Sequence, residues 1–403
     1  MRRIIAFSST RADYGLLKPV LKKISDSTDL ELILVASGDH LASYKGGTIS
    51  DIKKDGFAVA ETVPFSLASD NHESIAGSLG EATVKMASVI GKHRPDFLLL
   101  LGDRYELLAP AACALIHRVP IAHIAGGEST EGALDEQVRH ALTKMAHLHF
   151  VSTWEYGRRI RQMGEEAWRI HVVGSTGIEN IYSSDYLSPS EIKNNFGIDP
   201  EIPTLLITFH PETITGANDT GTQAKEVALA LEQFQEYQQV ITYPGMEAGY
   251  QAVVQIWQDY ALNKNNVLIK PSLGSRGYLG LMRIASAVVG NSSSGIIEAP
   301  SFHVPTVNIG NRQKGRIRAE SVLDVNCRME DIVKGLRKAL TDPVYRVGLP
   351  KTVNPYDPFS GSFSFSGSRS AFLTACRTGH GQRKKQRRTA ARNGLVRKPG
   401  EKV

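Results

Sequence analysis

Short apolar runs of strand length alternate with helix-length patterns along most of the chain, and this alternation restricts the fold more than any other feature. In the first half, residues 4–7, 30–36, 97–101, 121–124 and 148–151 read as strands. Residues 16–25, 76–93, 106–117 and 135–146 carry helical periodicity between them. Uniformly apolar strands separated by helices call for a parallel sheet covered on both faces. A second series follows the Gly-rich stretch 173–177, with strands expected at 204–208, 239–242, 267–270, 287–290 and 306–309. Its helices are expected at 221–237, 247–262, 278–286 and 331–340. The predicted architecture is α/β, with two Rossmann-like doubly wound domains, residues 1–174 and 175–356, facing one cleft across a hinge near 174–190. In such sheets ligands bind beyond the carboxyl ends of the strands.

The remaining composition narrows the class. The apolar run after Met1 ends in Ser8-Ser9-Thr10, too short for a secretory segment. No stretch approaches the ~18 apolar residues of a membrane span. Cys113, Cys327 and Cys376 are widely spaced and odd in number, so neither a disulfide framework nor a metal site is expected, and the cytoplasm is the natural compartment. The net charge of +6 belongs to the tail: ten of the 47 basic residues and one of the 41 acidic ones lie in 377–403. Residues 1–376 therefore hold 37 basic and 40 acidic groups, a net of −3. No nucleic-acid partner is expected for such a body. The atypical Ser/Phe-rich and then basic tail, 357–403, reads as a largely disordered, solvated end.

Chemistry-bearing residues gather at strand ends. Gly290-Asn291-Ser292-Ser293-Ser294-Gly295 follows an apolar strand and opens a helical stretch, where backbone N–H groups and hydroxyls can hold a diphosphate. Glu298 lies about one turn on, placed to accept from ribose hydroxyls, although a plain Ser-capped helix start has the same pattern. Asp103 and Arg104 follow the strand 97–101, as acid/base and phosphate ligand or as a helix cap with its ion pair. Gly126-Gly127-Glu128 precedes a helix where Glu128, Glu131, Asp135 and Glu136 crowd, an arrangement that drives carboxyl pKa values apart. Asp135 and Arg139 also have the spacing of a surface ion pair. His210 ends the first strand of the second series and can serve a leaving phosphate. Arg11 and the segment 311–316, with Arg312, add cationic reach.

Taken together, Thr10–Gly15, Gly102-Asp103-Arg104, Gly126-Gly127-Glu128, Asp135…Arg139-His140, His210-Pro211, Gly290–Gly295, Arg312-Gln313 and Gly315-Arg316 resemble the hydrolysing UDP-N-acetylglucosamine 2-epimerases of sialic-acid and legionaminic-acid pathways, over roughly residues 1–356. The resemblance implies a glycosyltransferase-B fold, no cofactor or metal, and a homo-oligomer, dimer or tetramer. It implies UDP held by Arg11, Arg104, His210, Ser292, Ser293, Glu298 and Arg312, with Arg139, Asn291 and Gly295 in the binding set. Asp103 and Asp135 match acidic family positions implied to act at the sugar, with His210 near the leaving phosphate, and Glu128 completes the expected catalytic set. The implied reaction turns UDP-N-acetylglucosamine and water into N-acetylmannosamine and UDP through a 2-acetamidoglucal, or acts likewise on UDP-N,N'-diacetylbacillosamine. A retaining glycosyltransferase and a non-catalytic UDP-sugar binder are the rival readings. Three departures stand out: Ala125 where the family often has Glu, Tyr243–Glu247 in place of a Pro-Asn-x-Asp pattern, and the tail. Glu128 or Glu131 is expected to replace the missing acid.

Overall fold

The computed structural model describes residues 1–41, 48–65, 72–131, 133–183, 186–212, 217–244 and 249–357. The first sheet contains β1 (Arg2–Ser8), β2 (Leu30–Ser37), β3 (Val59–Val63), β4 (Phe97–Leu101), β5 (Ile121–Ile124), β6 (Leu148–Val151) and β7 (Ile170–Val172). The second contains β8 (Thr204–Thr208), β9 (Gln238–Thr242), β10 (Val267–Ile269), β11 (Ala287–Gly290), β12 (Thr306–Ile309) and β13 (Val322–Val325). Every pairing is parallel. The orders are β3-β2-β1-β4-β5-β6-β7 and β10-β9-β8-β11-β12-β13.

Central strands alternate their side chains between two cores. In β4, Leu98 and Leu100 pack on one face of the sheet, while Phe97, Leu99 and Leu101 pack on the other. In the second sheet, Leu205 and Ile207 face one core and Leu206 the other. Burial on both faces is why these strands read as continuous apolar runs. The expected strands are present to within two residues at each end. Three more, β3, β7 and β13, lie at sheet edges or beside them, and none is wholly buried. The helix expected at 221–237 spans Ala217–Leu231, and Tyr237 falls in the loop before β9. The start of the helix expected at 247–262, Gly132 and the tail beyond Asp357 lie outside the described residues.

Both strand orders place a topological switch point, between β1 and β4 and between β8 and β11. Crossovers diverge to opposite faces there and leave a crevice at the carboxyl ends. The segments at these ends are Ser8–Arg11, Gly102–Arg104, Phe209-His210 and Asn291–Ser293. Among the described residues, no helix is long and apolar enough to cross a membrane.

Buried histidines carry a pH consequence. His123 and His149 are cross-strand neighbours in β5 and β6, and both are fully buried. Burial lowers both pKa values to about 4, with His123 adding to the effect on His149. An unfolded chain protonates these rings near pH ~6.5, whereas the native fold resists until about pH 4. Stability therefore falls as pH drops through that window, by up to about 3 kcal/mol for His123. Thermal melts between about pH 7 and 4.5 should show this decline. His123→Gln, which keeps a donor for the Gly102 carbonyl, should flatten it whatever its midpoint near neutrality; an unchanged slope would refute the assignment.

Candidate active site between the two sheets

Gly102 ends β4 at φ +88°, a conformation that glycine adopts without strain. His123 Nε2 donates to its carbonyl at 2.7 Å, fixing the turn that presents Asp103. Asp103 is about one-fifth exposed (21%) and ion-paired with Arg139, which is wholly buried on the helix Asp135–Met145. Arg139 also donates through Nη1 to Thr130 Oγ1 at 3.0 Å and to Glu136 Oε2 at 3.2 Å. Arg139 thus lies inside the protein rather than on the helix surface. Arg104 donates to Glu106 Oε1 from Nε and Nη2, at 3.1 and 2.9 Å. Asp135 opens the helix and is partly exposed.

The crowded acidic segment separates into distinct pairs. Glu136 accepts from Ser129 Oγ (2.9 Å) and the Thr130 amide (2.5 Å), and pairs with His140 at 3.0 Å. Glu131 is exposed and meets Lys314 at 3.0 Å. Glu128 is buried: Oε1 accepts from Ser152 Oγ at 2.7 Å and Oε2 meets Arg316 Nη1 at 2.6 Å. Ala125, at the departure from the family pattern, has a left-handed φ of +62°.

In the second sheet, Gly290 sits at φ +131°, and a Cβ there would run into the Thr208 carbonyl of β8. That close approach lets the buried Asn291 clasp His210 in both directions. The His210 amide donates to Asn291 Oδ1 at 2.6 Å, and Asn291 Nδ2 donates to the His210 carbonyl at 2.8 Å. The Asn291 carbonyl accepts from Gln313 (3.0 Å) and Arg312 (3.3 Å), so one residue frames both His210 and Arg312. Ser292 and Ser294 hydroxyls lie 2.9 Å apart, and Tyr278 OH reaches Ser294 Oγ at 2.9 Å. The helix Ser294–Ile297 is a single turn whose first backbone bond comes from Gly295, leaving the Ser292 and Ser293 amides ahead of it. Gly295 is a packing position, since a Cβ would lie 2.7 Å from Thr306 Cγ2.

The two halves meet through charged and aromatic contacts. Arg11 begins the helix Arg11–Ser25 and donates to Ser272 Oγ at 3.0 Å. Glu298 is buried against Gly177, and burial pushes its carboxyl up to about 7 against the pull of Arg316. Tyr156 and Tyr356 hydroxyls lie 2.8 Å apart, and the Ile317 amide donates to Tyr156 OH at 3.1 Å. Burial, then Arg312 and Arg104, hold His210 well below its ordinary pKa. Those two arginines come from different sheets, so Arg104, Arg312 and His210 share one electrostatic neighbourhood with Asp103 beside it. Tyr156 and Tyr278 were not singled out by sequence; both carry their polar tip from a helix, where they look like ordinary core tyrosines. Among the described residues, no group of three or more His, Cys, Asp or Glu side chains is arranged to hold a metal.

The family described as UDP-N-acetylglucosamine 2-epimerase matches residues 22–360. A Campylobacter jejuni relative named GDP/UDP-N,N'-diacetylbacillosamine 2-epimerase (hydrolyzing) is 36% identical over 80% of this chain and 84% of its own. A Legionella pneumophila relative named UDP-N,N'-diacetylbacillosamine 2-epimerase (hydrolyzing) is 34% identical over 85% and 90% respectively. The crystal structure of Neisseria meningitidis UDP-GlcNAc 2-epimerase bound to UDP-GlcNAc superposes with a TM-score of 0.75 at 15% identity, covering 93% of this chain and 99% of that one. On the extent of these matches, together with a two-sheet architecture whose switch points meet, this chain belongs to the UDP-N-acetylglucosamine 2-epimerase family.

Proposed function

We propose that the chain hydrolyses a UDP-linked 2-acetamido sugar, releasing UDP and the free sugar with C2 inverted. The observation that carries this reading is the buried Asn291 clasp that fixes His210 and Arg312 in one frame, while burial and then the charges of Arg312 and Arg104, the latter next to Asp103 in the chain, hold His210 below its ordinary pKa. A diphosphate bound there meets cations and the Ser292 and Ser293 amides, which stabilise the charge that develops as UDP departs. Arg11 and Glu298 extend the UDP site in this reading. A carboxylate takes the C2 proton, the C1–O bond to UDP breaks, and a C1–C2 double bond forms. Water then adds OH at C1, and a proton returns to the opposite face of C2. In this reading Asp103 and Asp135 carry the acid–base work, and Glu128, held by Ser152 and Arg316, also serves the domain contact.

Both identified relatives are named for the 2,4-diacetamido sugar, which favours UDP-N,N'-diacetylbacillosamine; UDP-N-acetylglucosamine is the second substrate to test. The C1–C2 chemistry is the same for both. The free thiols of Cys113 and Cys327 fit a reducing cytoplasm, where we place the enzyme as a homo-oligomer.

Incubation with each UDP-sugar, followed by UDP assay and proton NMR, should show UDP and a free manno-configured sugar without an acceptor. Release only with an added acceptor would indicate a glycosyltransferase, and binding without turnover a sensor. Asp103→Asn should lose about 10²–10⁴-fold in turnover while retaining UDP binding. A bound diphosphate adds negative charge beside His210 and raises its pKa, so binding near pH ~7 should take up a proton. In Asp103→Asn, UDP-sugar titrations in buffers of different ionisation enthalpy should reveal that uptake, and His210→Asn should abolish it. No buffer dependence would contradict the role of His210.

A further inference from the structure

Arg139 is buried, with one guanidinium shared between two carboxylates, Asp103 and Glu136. Burial and then Arg316 work against its charge, so both carboxylates are needed to offset the cost of burying it. How this charge divides depends on how well Glu136 is satisfied elsewhere. Its other donors are Ser129 Oγ, the Thr130 amide and His140. Ser129 and Thr130 belong to a loop that the second domain presses directly. The Glu131 amide donates to the Lys314 carbonyl at 2.9 Å, and Gly315, at φ +91°, lies so near that a Cβ would sit 2.6 Å from Ser129 Oγ. Glu128, at the other end of the loop, holds Arg316. The same second-domain segment carries Arg312, which shares the Asn291 frame with His210.

We propose that Glu136 and Arg139 are positioning residues that transmit docking of the segment 311–316 to the carboxylate of Asp103. The inference rests on the reading of Asp103 as an acid–base group. When the segment docks, Ser129 and Thr130 are fixed as donors to Glu136, its demand on Arg139 falls, and the guanidinium charge is concentrated on Asp103. When the segment withdraws, Glu136 loses those donors, competes for Arg139, and leaves Asp103 less compensated. The proton affinity of Asp103 is thereby set by the domain contact that brings Arg312 to the diphosphate. Charged groups around this circuit are Arg104 with its partner Glu106 on the loop of Asp103, Asp135, Glu136, Arg139 and His140 on the helix Asp135–Met145, Arg159 on the next helix, Glu128 with Arg316 at the domain contact, and His210 with Arg312 from the second half.

Two substitutions should move the acid limb of kcat/KM in opposite directions, which a general loss of structure does not do. Glu136→Gln leaves Arg139 undivided and removes a nearby negative charge, so the limb should fall by about 1 pH unit. Ser129→Ala deprives Glu136 of a donor, so the limb should rise. The Asp103 carboxyl can also be titrated in protein labelled with ¹³C at aspartate side chains, identified as the resonance missing from Asp103→Asn. That signal reports the same opposed shifts whether or not a sugar turns over, which separates failure of this inference from failure of the functional reading. Shifts of the same sign in both variants, or an Asp103 titration unmoved by either, would overturn it.

Discussion

The Glu128–Arg316 ion pair joins the two sheets at their carboxyl ends, and the arrangement of the site depends on it. Both side chains are nearly inaccessible, 4% and 8% exposed, so both have given up hydration. Burial works against the Arg316 charge, yet Glu128 and the tyrosines at 156 and 356 hold its pKa above the ordinary value. Removing one member of such a pair typically costs about 3–5 kcal/mol, because the other charge is left uncompensated. The pair therefore defines one geometry of approach better than an apolar patch would. Around it, Tyr156 receives the Ile317 amide and contacts Tyr356, which returns from the end of the described chain to the first domain. These contacts hold the segment that follows β12 against the loop after β5 and the helix after β6.

Negative charge is kept apart by this arrangement. Asp103, Asp135 and Glu136 stand on the first sheet's side, and the groups suited to a diphosphate stand on the second sheet's side or reach across to it. Arg104, Arg139 and Arg316 each meet a carboxylate, so the acidic groups of the first half are largely compensated within the protein. Arg104 acts on His210, Arg139 is committed to Asp103 and Glu136, and Arg316 to Glu128. Arg11 in turn meets Asp51 at 3.8 Å and Ser272 at 3.0 Å, so it too is engaged within the protein.

Most of the fold was legible because central parallel strands are buried on both faces. A run such as Phe97–Leu101 has no solvent-facing position and so no alternation to confuse with anything else. The strands β3, β7 and β13 escaped for the complementary reason. Ile170–Val172 is only half-buried throughout, and Val59–Val63 contains Glu61 at a sheet edge. The ends of strands were legible as a candidate site because small, charged and hydroxyl residues, Gly-Asp-Arg and Asn-Ser-Ser, follow apolar runs abruptly there. What sequence spacing could not separate was the cluster Glu128, Glu131, Asp135 and Glu136. They are close along the chain, but a glycine turn and a helix start send them to four environments. Partners far along the chain, such as Arg316 for Glu128 and Lys314 for Glu131, decide which carboxylate is engaged.

The Asn291 clasp gives a residue expected at the ligand a structural task of its own. Its amide satisfies both the N–H and the carbonyl of His210, and its own carbonyl takes donors from Arg312 and Gln313. Asn291 and Gln313 are buried, and an unpaired buried amide costs about 1–3 kcal/mol, so these bonds hold His210 and Arg312 to the frame. An aspartate here could accept from the His210 amide but could not donate to its carbonyl, and it would bury a charge. Leucine would lose both bonds. The pattern Gly-Asn-Ser-Ser is therefore two devices in sequence: Gly290 for the approach to β8 and Asn291 for the frame. The serines that follow are what the frame presents toward the cleft.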